Sequence, residues 1–282
     1  MSEARARTLI SVDDLASRLG AGSGVVLLHV RDESTGKPIE GGVIPGALDV
    51  YLASEFSGAP TKAGGKRPLP DVAAFEAISR TWGVKPDSFV VVYDDTSGAQ
   101  ASRAWWTFRW AGFDNVRVLD GGIIAWKAAG KSLAEQPASA PGGGTIALTA
   151  GNMPTIEADE AQTLAREGVL LDARGKAAYV GAPAEPGKPA AGHIPGAVLA
   201  PSASNIGADA RFKSHEELRD GLAQLGADGS RQVGVYCGSG NAAAHKIAAL
   251  HAAGIDAALY VGSWSAWSAD PERPVATGHD PG

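Results

Sequence analysis

The sequence is short of several residue types, and each shortage excludes a class of protein. Only one of its 282 residues is a cysteine, Cys237, so no intramolecular disulfide can form and a secreted, disulfide-stapled domain is excluded. No apolar run approaches the roughly 20 residues of a transmembrane helix, and the N-terminal residues lack the apolar core of a signal peptide. The formal net charge of −6 gives no basic footprint for nucleic acid. We therefore expect a cytoplasmic protein without membrane or nucleic-acid partners.

The rest of the composition is that of ordinary folded domains. Hydrophobic residues make up 44% and charged residues 20% of the chain, as is usual for globular proteins. A length of 282 residues is sufficient for about two domains. The cysteine and the six histidines show no cluster with the spacing of zinc ligands, so we expect no metal.

The second half of the sequence repeats the first half. Four segments return in the same order and at nearly constant spacing, which chance does not explain. The matched pairs are 26–31 with 169–174, 43–47 with 193–197, 91–94 with 234–237, and 121–126 with 262–267. Two repeats of about 130 residues predict two domains rather than a solenoid of short repeats.

Each repeat alternates short apolar runs with helical stretches. For the second repeat we predict strands at 168–172, 233–236 and 257–261, and helices at about 214–225, 241–254 and from Ser263 onward. This alternation predicts a parallel sheet flanked by helices on both faces. The expected fold class is therefore α/β, with an N-terminal domain at 8–132 and a C-terminal domain at 153–282. The stretch 133–152 is rich in proline and glycine and is predicted to be a linker.

The single cysteine lies where a predicted strand meets a predicted helix. The apolar run 233–236 ends at Cys237, two glycines follow, and the alanine-rich helix opens near Asn241. A thiol at this junction faces the backbone N–H groups of a tight loop and the positive end of a helix, which favour a thiolate. Ligands of parallel α/β sheets lie beyond the carboxyl ends of the strands, where Cys237 falls. We interpret Cys237 as a nucleophile rather than a structural residue.

Together these features resemble the tandem-domain sulfurtransferases of the rhodanese family. The resemblance extends from about Ile10 to Thr277 and rests on the repeated Ile-Pro-Gly-Ala, on Asp-Ala-Arg at 172–174, on the cysteine loop and on the Gly-x-x-x-Trp segments. It implies that the C-terminal domain is catalytic and that the N-terminal domain is silent. Asp94 occupies the place of Cys237 in the first repeat, and a carboxylate cannot accept a sulfane sulfur. We expect Asp94 and Asp95 to lie in a solvated loop or to cap a helix.

The resemblance also implies a reaction. The Cys237 thiolate attacks the sulfur of 3-mercaptopyruvate, pyruvate leaves, and an enzyme persulfide remains. A thiol acceptor, such as a thioredoxin-like protein, or cyanide then takes the outer sulfur. The loop N–H groups from Gly238 to Ala242 are expected to stabilise the anionic sulfurs, and no metal or organic cofactor is required.

The residues that follow the cysteine bear on the choice of donor. The loop Cys237-Gly238-Ser239-Gly240 is similar to that of 3-mercaptopyruvate sulfurtransferases, whereas thiosulfate enzymes of the family usually place basic residues there. Because the loop carries no charge, backbone N–H groups and Ser239 must bind the donor, which favours a mono-anionic keto acid. Thiosulfate is the alternative donor, and the alternative for Ser239 is a hydroxyl bonded only to nearby backbone.

Arg174 is the second candidate for the site. It follows a predicted strand end and can donate two hydrogen bonds to a carboxylate, and the family uses this arginine for the substrate anion. The alternative is a structural ion pair with Asp172 or another acid.

The sequence departs from the family at Ala178 (usually arginine), at Asn241 and Ala242 (usually a branched residue and threonine), and at Val43 (often histidine). We therefore expect Arg174 alone to face the substrate.

Other polar residues are interpreted as structural. His29 is expected to be a satisfied core histidine and His193 to brace its Ile-Pro-Gly turn. His245 lies about two helical turns from Cys237 and is too far away to act as its base. Lys246 and Arg103 occupy homologous helix positions and are predicted to be surface charges.

Two other cysteine enzymes are disfavoured, and one further class remains. A cysteine phosphatase of similar layout has an arginine six residues after its cysteine, where this chain has Ala243. A cysteine hydrolase needs a histidine base, and the sequence offers no convincing one. The remaining alternative is a non-catalytic rhodanese-like module that carries a persulfide or docks a partner.

Overall fold

The computed structural model describes residues 2–22, 24–33, 41–181 and 191–282, and in it the chain forms two compact units. The first unit consists of Met1–Gly58, Pro70–Met153 and Ile206–Phe212, and the second of Ala59–Leu69, Pro154–Asn205 and Lys213–Gly282. Each unit therefore contains one short segment of the other repeat. The repeat pattern in the sequence does not predict this exchange.

The first unit is built on a parallel sheet. Its strands are β1 (Leu9–Ile10), β2 (Val25–Arg31), β3 (Leu48–Tyr51), β4 (Phe89–Tyr93) and β5 (Val116–Leu119), in the order β1-β5-β4-β2-β3. Its helices are α1 (Glu3–Thr8), α2 (Val12–Gly20), α3 (Leu52–Glu55), α4 (Val72–Thr81), α5 (Ala101–Trp110) and α6 (Gly122–Ala128). The inner strands β2 and β4 are nearly continuous apolar runs, as expected of parallel strands covered on both faces.

The second unit repeats this architecture. Its strands are β6 (Thr155–Ile156), β7 (Val169–Asp172), β8 (Val198–Leu199), β9 (Val233–Tyr236) and β10 (Ala258–Tyr260), in the order β6-β10-β9-β7-β8. Its helices are α7 (Ala158–Glu167), α8 (Lys176–Val180), α9 (His215–Ala223), α10 (Asn241–Ala252) and α11 (Ser263–Trp267), with a 3₁₀ turn at Ser202–Asn205. The two strand orders correspond one to one, so the α/β class with two tandem parallel sheets is confirmed.

The sheet of the second unit brings two predicted site residues together. Strands β7 and β9 are neighbours, with Asp172 opposite Tyr236, and the Ala173 N–H donates to the Tyr236 carbonyl at 2.8 Å. Arg174 and Cys237 therefore leave the sheet from adjacent strand ends, at the edge where parallel sheets bind ligands. Among the described residues, no helix combines the length and apolarity needed to cross a membrane.

The stretch predicted to be a linker, 133–152, is hydrogen-bonded along the first unit. Val43 and Ala134 exchange backbone bonds at 2.9 and 2.8 Å, the Gly142 N–H donates to the Thr81 carbonyl at 2.9 Å, and the Asn152 N–H donates to the Trp110 carbonyl at 3.0 Å. Proline and glycine keep the stretch out of regular structure, but neighbouring elements still satisfy its amides.

The prediction that Arg103 and Lys246 are surface charges is wrong. Their side chains are buried, with 0% and 1% of each residue exposed. The reason is that α5 and α10 are covered on nearly all sides, so even their polar positions point into protein. Lys246 Nζ donates to Asn205 Oδ1 at 2.5 Å and to Ser204 Oγ at 3.2 Å. Both of these acceptors are neutral, and burial lowers the pKa of Lys246 to about 8.

This pKa gives a prediction about stability. In the unfolded chain the lysine pKa is about 10.4, so between pH 8 and that value the unfolded state binds more protons than the folded state. The free energy of unfolding should therefore rise with pH across this window, by on the order of 3 kcal/mol. Lys246→Met should lack this rise, whereas Lys176→Met, at an exposed position, should keep it. Urea titrations of the three proteins across the window test this, and parallel curves would contradict it.

Candidate active site

Cys237 occupies the first position after β9, and its sulfur is bound by the loop that follows. The residue is only 3% exposed, and the Gly240 N–H donates to its Sγ at 3.1 Å. Helix α10 begins at the next residue, Asn241. One loop amide and the start of a helix thus lie beside the thiol, where the sequence pattern predicts them. Both present partial positive charge toward the sulfur, and their role in binding an anionic sulfur remains a prediction.

Gly240 is required by the shape of this loop. Its φ of +94° lies in the left-handed region, which other residues adopt only with strain. This conformation lets the chain turn from the cysteine into the helix within three residues and aims the Gly240 N–H back at Sγ. A residue with a side chain would not easily provide so short a return.

The other predicted loop residues differ in their exposure. Gly238 is exposed, and Ser239, Asn241 and Ala242 are half-buried. Among the described residues, no hydrogen-bond partner reaches the buried Oδ1 of Asn241. The contact with Sγ comes from Gly240, so binding roles for the other four remain predictions.

A second segment, 262–265, holds the backbone of the cysteine loop. The Cys237 N–H donates to Ser263 Oγ at 3.2 Å, and the Trp264 N–H donates to the Cys237 carbonyl at 2.9 Å. The Ser265 N–H donates to the Gly238 carbonyl at 3.0 Å. Sequence analysis missed this support, although the repeated Gly-x-x-x-Trp pattern marks the segment.

Arg174 lies beside the cysteine loop but is already engaged. Its Nε donates to both oxygens of Asp172 at 2.9 and 3.1 Å, and its Nη2 donates to Asp172 Oδ2 at 2.5 Å. The Gly192 carbonyl accepts a further bond from Nη2 at 2.6 Å. The paired geometry that could hold a donor carboxylate is thus used on Asp172, as in the structural alternative.

The charge of Arg174 is secured by this pairing. Burial by itself would lower the pKa of Arg174, but the hydrogen bonds and negative charge of Asp172 outweigh it, and the pKa is raised. The guanidinium carbon also lies 4.4 Å from the ring centroid of Trp264 and 5.6 Å from that of Tyr236, within cation–π range. Arg174 is therefore a permanently charged group with a fixed plane.

None of the described histidines is bonded to Cys237. His193 is buried, stacks on Tyr179 at 3.7 Å between centroids, and bonds the Tyr179 carbonyl through Nδ1 at 2.9 Å, in agreement with a bracing role. His245 Nδ1 lies 3.2 Å from the amide nitrogen of Asn205. His29 belongs to the first unit. Among the described residues there is thus no cysteine–histidine pair of the hydrolase type.

The described residues also contain no group of three acids, histidines or cysteines that could hold a metal ion.

The equivalent loop of the first unit is occupied by its own carboxylate. Asp94 is fully buried, and its two oxygens accept backbone N–H bonds from Thr96, Gly98, Gln100 and Ala101 at 2.7–2.8 Å. Of the two expected roles, a solvated loop or a helix cap, Asp94 has the second: it accepts N–H bonds at the start of α5 and is not solvated, because the loop closes around the side chain.

Asp95 and His29 form a separate polar cluster beside that loop. His29 lies between Asp49 (Nδ1 to Oδ1, 3.0 Å) and Asp95 (Nε2 to Oδ1, 2.6 Å), as expected for a satisfied core histidine. Burial alone would lower the pKa of His29, but the two carboxylates outweigh it and raise that pKa. No thiol is available here, so the cluster contains no sulfur nucleophile.

The comparisons with known proteins agree with this geometry. The protein-family model of the rhodanese-like domain matches the sequence twice, at residues 11–129 and 157–270. The chain belongs to the rhodanese family. The first match covers strands β2 to β5 and the second covers strands β7 to β10 together with the cysteine loop, which confirms the resemblance found in the sequence.

Relatives match this rhodanese over nearly its whole length. The putative thiosulfate sulfurtransferase SseB of Mycobacterium tuberculosis is 42% identical, over 98% of this chain and 99% of its own. The probable 3-mercaptopyruvate sulfurtransferase of Pseudomonas aeruginosa is 40% identical, over 96% of this chain and 98% of its own. These relatives confirm the enzyme class expected from the sequence, a sulfurtransferase.

A solved structure supports the fold. The anaerobic ergothioneine biosynthesis enzyme of Chlorobium limicola superposes with a TM-score of 0.81, covering 97% of this chain and 71% of its own, at 23% sequence identity. At this identity the likeness extends to the fold alone.

Proposed function

We propose that this rhodanese transfers a sulfane sulfur from 3-mercaptopyruvate to a thiol or to cyanide through a persulfide on Cys237. The observation that carries the proposal is the Gly240 N–H at 3.1 Å from Sγ, in a loop whose residues bear no charge. Such a loop stabilises an anionic sulfur through backbone dipoles. It offers no cation to hold the second charge of thiosulfate.

The reaction proceeds in two halves. The Cys237 thiolate attacks the donor sulfur, the carbon–sulfur bond breaks, and its electron pair leaves with the enolate of pyruvate, which takes up a proton. An acceptor thiolate, for example on a thioredoxin-like protein, then attacks the outer sulfur and restores the Cys237 thiolate. This is covalent, ping-pong catalysis. The first unit has Asp94 in place of the nucleophile and is silent.

Arg174 is proposed to attract the donor carboxylate. Its Nε and Nη2 are engaged by Asp172. The donor would thus receive the charge of Arg174 rather than a paired contact from Nε and Nη2. Loop amides from Gly238 to Ala242, with Ser239, complete the proposed donor site.

The choice of donor is tested by kinetics. We expect kcat/KM for 3-mercaptopyruvate to exceed that for thiosulfate, measured with the same acceptor, because the loop supplies no cation. A clear preference for thiosulfate would show that the proposed donor is wrong. It would support thiosulfate sulfurtransferase activity instead, the function named for the Mycobacterium tuberculosis relative. Failure to transfer sulfur from either donor would support a non-catalytic module instead.

Replacing Arg174 tests its role in capturing the donor. Arg174→Lys keeps a charge but loses the planar bonds to Asp172, so kcat/KM for 3-mercaptopyruvate should fall about ten- to hundredfold, as for the loss of a charge-assisted hydrogen bond. The control is alkylation of Cys237 by neutral iodoacetamide, which should hardly change. If donor kinetics match those of the parent, the Asp172–Arg174 pair is purely structural.

A further inference from the structure

Segment 262–265 touches both halves of the proposed site. Its Ser263 and Trp264 bond the N–H and the carbonyl of Cys237, and its Ser265 bonds the carbonyl of Gly238. The ring of Trp264 also lies 4.4 Å from the guanidinium carbon of Arg174. One short segment thus fixes the nucleophile and contacts the cation proposed to attract the donor.

Ser263 adopts a backbone conformation that serine rarely accepts. Its φ is +52°, in the left-handed region, and the residue is fully buried. The matching residue of the first repeat is Gly122, with a φ of +54°. There a Cβ atom would lie only 2.4 Å from the Asp94 carbonyl oxygen, so the first unit requires glycine.

The second unit holds a serine where its counterpart is glycine, and the hydroxyl is in use. Ser263 Oγ accepts the Cys237 N–H and donates to the Tyr260 carbonyl at 2.9 Å. Strained residues of this kind persist where the surroundings over-determine them, often at functional sites. The bonds leave the Cys237 N–H satisfied and orient the residue so that Sγ meets the Gly240 N–H.

Trp264 also differs from its counterpart in the first repeat. The first repeat has Ile123, an aliphatic core residue, whereas Trp264 is half-buried with its indole ring against Arg174. An indole face attracts a guanidinium and also restricts its plane. Asp172 binds one edge of the Arg174 guanidinium and the Trp264 ring covers one of its faces, so the plane of the guanidinium is fixed.

We propose that segment 262–265 is the positioning element of this active site and that two of its residues position different groups. Ser263 orients the Cys237 nucleophile, and Trp264 orients Arg174 toward an anionic reagent. The inference rests on the proposed function for its catalytic meaning. Its test uses alkylation of Cys237, which proceeds whether or not the protein transfers sulfur.

The test compares two reagents that differ in charge. Iodoacetamide is neutral and reports the reactivity of Cys237, whereas the ratio of iodoacetate to iodoacetamide rates reports the pull of Arg174 on an anion. Ser263→Gly removes the hydroxyl but suits the left-handed backbone. It should slow both reagents about tenfold, equivalent to about 1.4 kcal/mol, and leave their ratio unchanged.

Trp264→Leu should give the opposite pattern. The iodoacetamide rate should stay within about twofold, and the iodoacetate ratio should fall about fivefold, as for the loss of a partly buried cation–π contact. Trp264→Phe should lie between. In turnover, Ser263→Gly should lower kcat with little change in KM, and Trp264→Leu should raise KM for 3-mercaptopyruvate.

Ser268→Ala is the matched control, because it removes a hydroxyl bonded to a carbonyl on the same helix (Ser268 Oγ to the Trp264 carbonyl, 2.7 Å). It should leave both rates unchanged. Unaltered iodoacetamide rates in Ser263→Gly, or equal loss of both rates in Trp264→Leu, would overturn the proposal. Absence of turnover with normal alkylation patterns would instead count against the proposed function alone.

Discussion

Cys237→Ser is expected to abolish sulfur transfer and to leave the protein without a persulfide. Cys237 is the only thiol in the chain, so no second cysteine can substitute for it. A serine hydroxyl of ordinary acidity is a weak nucleophile unless a base activates it, and the described residues place no histidine against this position. Incubation with 3-mercaptopyruvate should add one sulfur atom to the parent and none to the variant.

Intact-mass measurement and turnover assays check this result together. Serine differs from cysteine by one atom and can still accept the Gly240 N–H, so the variant should unfold at the denaturant concentration of the parent. Sulfur gain or turnover by Cys237→Ser would show that the persulfide mechanism is wrong. A parent that gains sulfur but fails to pass it to thiols or cyanide would support a persulfide carrier.

Asp94→Ala is expected to lower the free energy of unfolding by about 4 kcal/mol or more. The Asp94 carboxylate accepts four backbone N–H bonds inside the first unit. Removing it leaves buried donors without an acceptor, and each such loss costs about 1–3 kcal/mol. The total is below the sum, because part of the loop can rearrange and admit water.

Urea unfolding of Asp94→Ala and of a control measures this effect. Asp87→Ala, an exposed aspartate of the same unit, should change the unfolding free energy by less than about 0.5 kcal/mol. Asp94→Asn should lie between, since its amide oxygen can still accept two of the bonds while its NH₂ opposes the others. Equal stability of Asp94→Ala and the parent would refute the role assigned to the carboxylate.

The sequence predicted the parts of this protein that depend on local pattern. Strand β9 was expected at 233–236 and lies there, and the ends of α9, α10 and β10 differ by at most two residues. Apolar runs, glycine punctuation and the repeat carry this information directly. The place of Cys237 at the carboxyl end of a central strand followed from the same pattern.

Features that depend on side-chain geometry or on contacts distant in sequence could not be predicted. Asp172 and Arg174 are only two residues apart, but whether Arg174 bonds Asp172 or a ligand depends on side-chain geometry. The same sequence pattern is compatible with both outcomes. The burial of Lys246 depends on what covers α10, which its own residues do not specify. The support from Ser263 joins positions 26 residues apart in the chain, and periodicity does not report such a bond.

The exchange of short segments between the two units has a consequence for the independence of the repeats. Asp120 of the first unit bonds the N–H of Phe212, from the second repeat, at 2.8 Å, and Ser265 of the second unit bonds the N–H of Lys66, from the first repeat, at 3.0 Å. If the chain were divided near residue 152, the N-terminal half would keep Ala59–Leu69, which belongs to the second unit, and would lack Ile206–Phe212, which belongs to the first. The two halves repeat one another in sequence, yet each compact unit includes a segment of the other half, so cutting the chain between the halves would remove hydrogen-bonded parts of both units.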